Sequence, residues 1–228
     1  MEVSPLPKDT FFNLPSEKRD RIVDLALDEF ALYDYRAASL TRIVENAGIA
    51  KGSMYQYFED KKDLYLYVVN LAAEEKFNFI NQSISEVGAK NFFDKYRLIC
   101  FYGARFDFSQ PRYANILYHV TYEPYDTDIR EISAQLKATS YQFIESSVEE
   151  GIQNGDLRDD LSPDFVVFAL YQLTVALRDY LSQKFNFSFK KAVEVGRGSP
   201  VRDDDLAEVL EEFIDFFREG LEATDRLG

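Results

Sequence analysis

The stretch AGIAKGSMYQYFEDKKDL, residues 47–64, limits what this chain can fold into more than any other part of it. Gly48 reads as a helix stop and Asp60 as a helix start. Between them, KGSMYQYF leaves room for only a very short helix. A helix of that size is not stable alone in water and must lean on its neighbours. Met54 and Phe58, four residues apart, supply the anchoring face. The other side chains, among them Lys51, Ser53, Tyr55 and Gln56, are polar or aromatic and are expected to point away from a core.

Its neighbours read as helices too. SEKRDRIVDLALDEFALY, residues 16–33, places Ile22, Ala26 and Phe30, with Val23 and Leu27, at four-residue spacing, and Ser16 is a candidate N-cap. In ASLTRIVENAG, Ser39 is a candidate N-cap, Ile43, Val44 and Ala47 face inward, and Gly48 ends the helix. Asp60 caps a helix running from about Lys61 into the eighties. Two helices joined by a glycine turn, the second short and polar, make a helix-turn-helix, in which the second helix enters a major groove.

Breakers recur downstream at Gly88, SQPR (109–112), EPYDTD (123–128) and NGDLRDDLSP (154–163). They divide the rest into helical stretches at about 91–108, 112–121, 127–153, 163–187 and 203–221, and EVGRGSP (194–200) reads as an exposed loop. No sustained alternation marks a strand. The predicted fold is all-α: an N-terminal helix-turn-helix domain over residues 1–66, then a larger helical domain over 67–228.

The net charge is −14. Residues 1–67 hold 9 Lys+Arg against 12 Asp+Glu, a net of −3, and the remaining −11 lies beyond them. Any DNA binding must therefore come from a local patch, with weak non-specific affinity, since that affinity scales with neutralised phosphates. Cys100 is the single cysteine, which excludes an internal disulfide and suits a reducing cytoplasm. No apolar run reaches the ~18 residues of a membrane span, and MEVSPLPKDTFF lacks the apolar core of a signal peptide. Enzyme chemistry finds no footing: His119 is the only histidine, no Glu-x-x-His pair or phosphate loop occurs, and no motif surrounds Cys100. Neither a metal nor a cofactor is expected. The rival from another class is a helical adaptor whose helix-turn-helix binds protein, which the acidic N-terminal part supports mildly.

The run SLTRIVENAGIAKGSMYQYFEDKKDL, residues 39–64, resembles the tetracycline-repressor (TetR) family of bacterial transcription regulators. The family pattern is a Thr/Ser cap, an Ile-Ala-like pair, Ala-Gly-Val, Lys-Gly-Thr-Leu-Tyr, an aromatic-Phe pair, a Lys and a Leu. Here stand Ser39, Ile43–Val44, Ala47–Gly48–Ile49, Lys51–Gly52–Ser53–Met54–Tyr55, Tyr57–Phe58, Lys61 and Leu64. Val44 for the commoner Ala and Tyr57 for the commoner His are the main departures. The resemblance covers residues 16–66, with a weaker echo at EEGIQNGDLRDDLSPDF (149–165), similar to the loop before the family's dimerisation helices.

With that motif, Lys51 at the start of the recognition helix reaches a phosphate or a guanine edge, Gly52 lets the backbone approach DNA, and Ser53 donates to a phosphate or caps the helix. Tyr55 matches the family tyrosine that touches a phosphate. Gln56 is the candidate base reader, since glutamine pairs with the N6 and N7 of adenine. Tyr57 is assigned to a phosphate or a thymine methyl. A lysine at the N-terminus of the fourth helix opposes the helix dipole unless a phosphate is present, so Lys61 is assigned to one. Thr41 and Arg42 are expected at the flanking backbone.

The resemblance further implies a homodimer on a palindromic double-stranded operator and a small-molecule effector that releases it, most naturally as a repressor. Residues 163–187 and 203–221 carry apolar stripes, Leu173–Leu177–Tyr180 and Leu206–Leu210–Phe213–Phe217, that suit a four-helix dimer interface. The plainer alternative is that they pack within the monomer. The implied effector pocket falls in the aromatic-rich middle of the chain, with Phe101, Tyr102, Tyr118, Tyr122, Phe143 and Tyr171 as lining and Arg105, His119 and Gln172 as orienting groups. The aromatic and acidic bias suits a large apolar or cationic compound.

Overall fold

The computed structural model describes residues 7–122, 127–198 and 201–222, and these form helices and the turns between them. In chain order the helices are α1 (Asp9–Phe12), α2 (Ser16–Leu32), α3 (Leu40–Ala47), α4 (Lys51–Tyr57), α5 (Lys61–Val87) and α6 (Phe92–Ser109). They continue with α7 (Pro111–Tyr122), α8 (Thr127–Gln153), α9 (Pro163–Lys184), α10 (Phe189–Val195) and α11 (Asp203–Leu221). Among the described residues there is no strand, only an isolated bridge between Leu157 and Glu222. No helix among them is long and apolar enough to cross a membrane. The N-terminal residues 1–6, most of the EPYDTD breaker and the end of EVGRGSP lie outside the described residues.

Helix ends follow local chemistry. The Ser39 hydroxyl accepts from the Arg42 N–H at 3.3 Å, as an N-cap does. Asp60 accepts from the Asp63 N–H at 3.0 Å, and Asp63 accepts from the Glu59 N–H at 3.0 Å, a reciprocal cap on α5. Gly48 sits at φ 67°, where a side chain is disfavoured, and the Ile49 N–H closes back on the Val44 carbonyl at 3.1 Å. Ser16 proves to be the first helical residue of α2 rather than its cap, which is Pro15. The stretch expected to run to 187 ends at Lys184, because Asn186 turns to φ 48° and the Phe187 N–H bonds the Ser182 carbonyl at 2.9 Å. Two helices, α1 and α10, were not foreseen; at 4 and 7 residues they are too short to show a period.

The described chain packs as two compact units, dividing within α5 and again within α8. The first comprises residues up to Glu75, Gln110–Ser133 and Phe189–Gly198. Its core joins Ile22, Phe30, Ile43, Met54, Phe58, Leu64, Tyr65 and Ile116. Helix α7 binds α2 by a polar row: Arg112 pairs with Asp24 (2.7 Å) and Asp28 (3.0 Å), Asn115 Nδ2 donates to the Ala31 carbonyl (2.9 Å), and His119 Nδ1 meets the Phe30 carbonyl (3.1 Å). These last two carbonyls belong to the end of α2, where helical partners run out.

The second unit comprises Lys76–Ser109, Ala134–Ser188 and the chain from Ser199. Tyr96 donates to the Leu170 carbonyl at 3.0 Å and lies 2.7 Å from the Thr174 hydroxyl, joining α6 to α9. Lys76 bonds both oxygens of the buried Asp107, at 2.8 and 2.9 Å. Gly151 lets α8 approach α6 closely, since a Cβ there would stand 3.1 Å from Phe92 and Leu157. Of the stripes read as dimer surfaces, Leu177, Leu206 and Leu210 are buried inside this unit. Tyr180, the last residue of the first stripe, is 46% exposed, and the other outward apolar residues on those two helices are Phe165 (62%), Phe168 (49%) and Phe216 (80%). A helical stripe lists which residues are apolar; which arc meets its own chain depends on the neighbours.

Cys100 is buried beside Tyr96 and Thr174, and burial pushes its thiol up to about 12. Only the thiolate reacts, so a thiol reagent at about pH 8 should label the native protein about a thousandfold more slowly than free cysteine, and promptly in urea. Fast labelling of the native protein would mean that the α6–α9 packing opens.

Candidate nucleic-acid interface

Helices α3 and α4 meet at the left-handed Gly48, after which Ala50 is extended (φ −67°, ψ 141°) and α4 begins. On α4, Met54, Tyr57 and Phe58 are buried, while Lys51, Gly52, Tyr55 and Gln56 are exposed and Ser53 is half-buried. The spacing makes this division: 54, 57 and 58 share one face, and 51, 52, 55 and 56 share the other. Tyr55 is 46% exposed. Tyr57, assigned from the sequence to a phosphate or a thymine methyl, is only 5% exposed, and its ring lies 6.0 Å from that of Phe11. It belongs to the core, because its position falls between those of Met54 and Phe58 on the buried side.

Thr41 and Arg42 are exposed at the start of α3. Arg42 is already engaged. Its Nε donates to both carboxylate oxygens of Glu29 (2.9 and 3.1 Å), its Nη2 donates to Glu29 and to the Ala37 carbonyl (2.9 Å), and its guanidinium lies 4.4 Å from the Tyr33 ring centroid. The hydrogen bond and charge of Glu29 raise the guanidinium's already high pKa. Glu29 also accepts from the Ser39 N–H at 2.6 Å. One carboxylate thus holds both the cap and the first turn of α3 against the end of α2. Sequence reasoning missed Glu29; the only signal was an acid at a position flanked by the buried Ala26 and Phe30.

Lys61 has a structural occupation as well. Its Nζ donates to the carbonyls of Tyr35 (2.7 Å) and Ala38 (3.2 Å) and sits 4.5 Å from the Tyr35 ring centroid. A lysine at this helix start therefore needs no phosphate to be accounted for. Arg21 Nη2 donates to the Asn46 carbonyl at 2.9 Å, holding the other end of α3.

The residues assigned to an effector fall into different units. Tyr118, His119 and Tyr122 belong to the first, where His119 faces the Phe30 carbonyl and the Tyr118 and Tyr122 rings lie 4.5 Å apart. In the second, Phe101 and Tyr102 are half-buried with centroids 5.2 Å apart, Phe143 meets Phe77 at 5.3 Å, and Tyr171 meets Tyr141 at 4.6 Å. Arg105 is exposed and pairs with Asp203 at 3.3 Å. Gln172 is exposed on the side of α9 that carries Phe165 and Phe168, away from the buried Tyr171. Among the described residues no group of His, Cys, Asp or Glu is placed to hold a metal ion.

Removing the Glu29 charge takes a partner from Arg42 and weakens the carboxylate's bond to the Ser39 amide, and the exposure of Arg42 limits the cost. Glu29→Gln should therefore lower the urea midpoint of unfolding modestly, and Glu29→Ala, which also loses the bond to the Ser39 amide, should lower it further. An unchanged midpoint would show that the Glu29 contacts contribute nothing net.

Comparisons with known proteins converge on this interface. The family described as "Bacterial regulatory proteins, tetR family" matches residues 22–68, which span α3, the turn and α4. A TetR family transcriptional regulator from Chloroflexus aurantiacus J-10-FL superposes with a TM-score of 0.77 at 36% identity, over 96% of this chain and 100% of that one. The HTH-type transcriptional repressor KstR2 of Mycolicibacterium smegmatis is 24% identical over 155 residues, 67% of this chain and 73% of its own. The transcriptional regulator FadR from Bacillus subtilis, solved in complex with stearoyl-CoA, has the same fold (TM-score 0.60, 16% identity, 84% of this chain and 96% of that one). A short helix with a polar outer face, inside a match that runs the full length of a related regulator, places this chain in the TetR family of DNA-binding transcriptional regulators.

Proposed function

We propose that the protein is a homodimeric repressor that binds a palindromic operator through residues 1–66 of each chain and is released by a small molecule bound within residues 67–228. The observation that carries the DNA reading is the two-faced α4. Its polar face, Lys51, Gly52, Tyr55 and Gln56, is exposed while Met54, Tyr57 and Phe58 are buried behind it. In this reading Gln56 contacts a base edge, Lys51 a phosphate or guanine, and Thr41, Ser53 and Tyr55 the backbone. Lys61 and Tyr57 act behind the interface, in keeping with their carbonyl and ring partners.

One such helix reads only a few base pairs, and a two-fold dimer doubles the site. The exposed rings Phe165, Phe168, Tyr180 and Phe216 support α9 and α11 as the dimer faces, with Gln172 among them. The effector reading keeps Phe101, Tyr102, Phe143 and Tyr171 as apolar lining; Arg105 is held at the surface by Asp203. FadR, with its stearoyl-CoA, shows that this fold can take an effector with a long acyl chain. Release requires different effector affinities in the DNA-competent and incompetent states, and by linkage the operator must weaken effector binding equally.

Selection from a random DNA pool at moderate salt should enrich a palindrome. Against that site, Gln56→Ala should cost about 1–3 kcal/mol at one base position and relax preference there. Lys51→Ala should weaken all sequences and reduce the salt slope by about 1. No enrichment from folded, ligand-stripped protein would refute the DNA reading of α4. Sedimentation should give twice the 26.4 kDa chain mass, and Phe168→Glu should shift it toward one chain. A wild-type monomer would remove the dimer.

A further inference from the structure

The last four carbonyls of a helix find no partner inside it, and in α4 these belong to Met54, Tyr55, Gln56 and Tyr57. The Met54 carbonyl accepts from the Phe58 N–H at 2.9 Å. One short segment ahead of α2 takes the other three. Lys8 Nζ donates to the Tyr55 carbonyl at 3.0 Å, the Thr10 hydroxyl donates to the Gln56 carbonyl, and the Lys8 main-chain N–H donates to the Tyr57 carbonyl at 2.9 Å. Phe11 fixes this segment. It is fully buried, with its ring centroid 5.0 Å from Phe58 and 5.7 Å from Tyr67. The Lys8 ammonium also pairs with Glu59 at 2.7 Å and places a cation at the negative end of the helix dipole.

We propose that Lys8, Thr10 and Phe11 form a clasp that positions the recognition helix, and so act as specificity-determining residues that never touch a base. The proposal rests on the DNA reading of α4 given above. Its physical basis is that the clasped carbonyls include those of Tyr55 and Gln56, whose side chains are exposed on the outer face of the helix. Those bonds set the rotation of the last turn and hence where Gln56 points. Base contacts need that alignment, whereas phosphate contacts tolerate its loss. The two side-chain bonds of the clasp lie at the surface, so they add little to global stability. The segment also lies outside residues 22–68, the part matched by the family.

Thr10→Val keeps the shape of the side chain and removes the donor; Thr10→Ser restores it. Lys8→Pro removes the main-chain and side-chain donors together, and the −64° φ of Lys8 already suits proline. Each full-length variant is measured against the selected operator and a scrambled duplex, with amide exchange at Tyr57 and Phe58 in the free protein. Thr10→Val should bind the operator about three- to tenfold more weakly, leave the scrambled duplex and the melting temperature nearly unchanged, and speed amide exchange by a similar factor. Thr10→Ser should match the wild type, and Lys8→Pro should exceed Thr10→Val. Wild-type behaviour of Thr10→Val and Lys8→Pro in both exchange and specificity would overturn the clasp. So would equal losses on both duplexes together with a lowered melting temperature, the mark of a merely structural role. If the wild type selects no operator, the DNA reading fails instead, and the exchange rates still decide whether the clasp holds α4.

Discussion

Helix α4 has seven residues, so it cannot satisfy its own ends. A helix leaves its first four N–H and last four C=O groups without internal partners, and in seven residues that is more than half of them. Helices of this length are marginal in water even with favourable sequences. The first unit is organised around that deficit. Met54, Tyr57 and Phe58 bury the inner face, and Lys8 and Thr10 complete the carbonyl end. The outer face is left free of packing duties, as a surface that reads another molecule must be.

Several acids of the first unit are occupied by cations. Glu29 is bound by Arg42 and by the Ser39 amide. Asp24 and Asp28 share Arg112. Glu59 faces Lys8. Each pair removes a charge that would otherwise repel phosphate, although pairing also uses a cation. The net of −3 over residues 1–67 still leaves little for non-specific attraction. Affinity must then come from well-placed contacts, which raises the value of anything that fixes the orientation of the exposed face of α4.

Much of the fold was legible because helix ends are written locally. Ser39, Gly48 and Asp60 cap or stop helices through their own side chains or backbone freedom, and the structure uses all three so. What was not legible depends on residues distant in sequence. Lys61 read as a phosphate ligand because a lone lysine at a helix start looks unfavourable; the carbonyls of Tyr35 and Ala38, more than twenty residues back, resolve it. Leu206 and Leu210 read as an interface because they are apolar and periodic, yet they are buried within their own unit, and Phe216 faces out. Period reports amphipathicity, and only the tertiary neighbours decide what the apolar arc meets.

The same dependence on distant residues governs the other end of the reader. The Phe30 and Ala31 carbonyls, at the exit of α2, are taken by His119 and Asn115 from α7, 89 and 84 residues away in sequence. The end of α2 in turn holds α3 through Glu29. A chain of hydrogen bonds therefore runs from α7 through α2 to the first turn of the helix-turn-helix, and a second set enters from Lys8 and Thr10 at its last turn. The stretch from 22 to 68 contains α3 and α4 but neither set of outside supports. Cut out alone, it would expose unpaired carbonyls at the ends of α2 and α4, the two places that determine where α3 and α4 point. The helix-turn-helix is a product of the whole first unit, and α7 takes part in it because α3 and α4, at eight and seven residues, are too short to be self-sufficient.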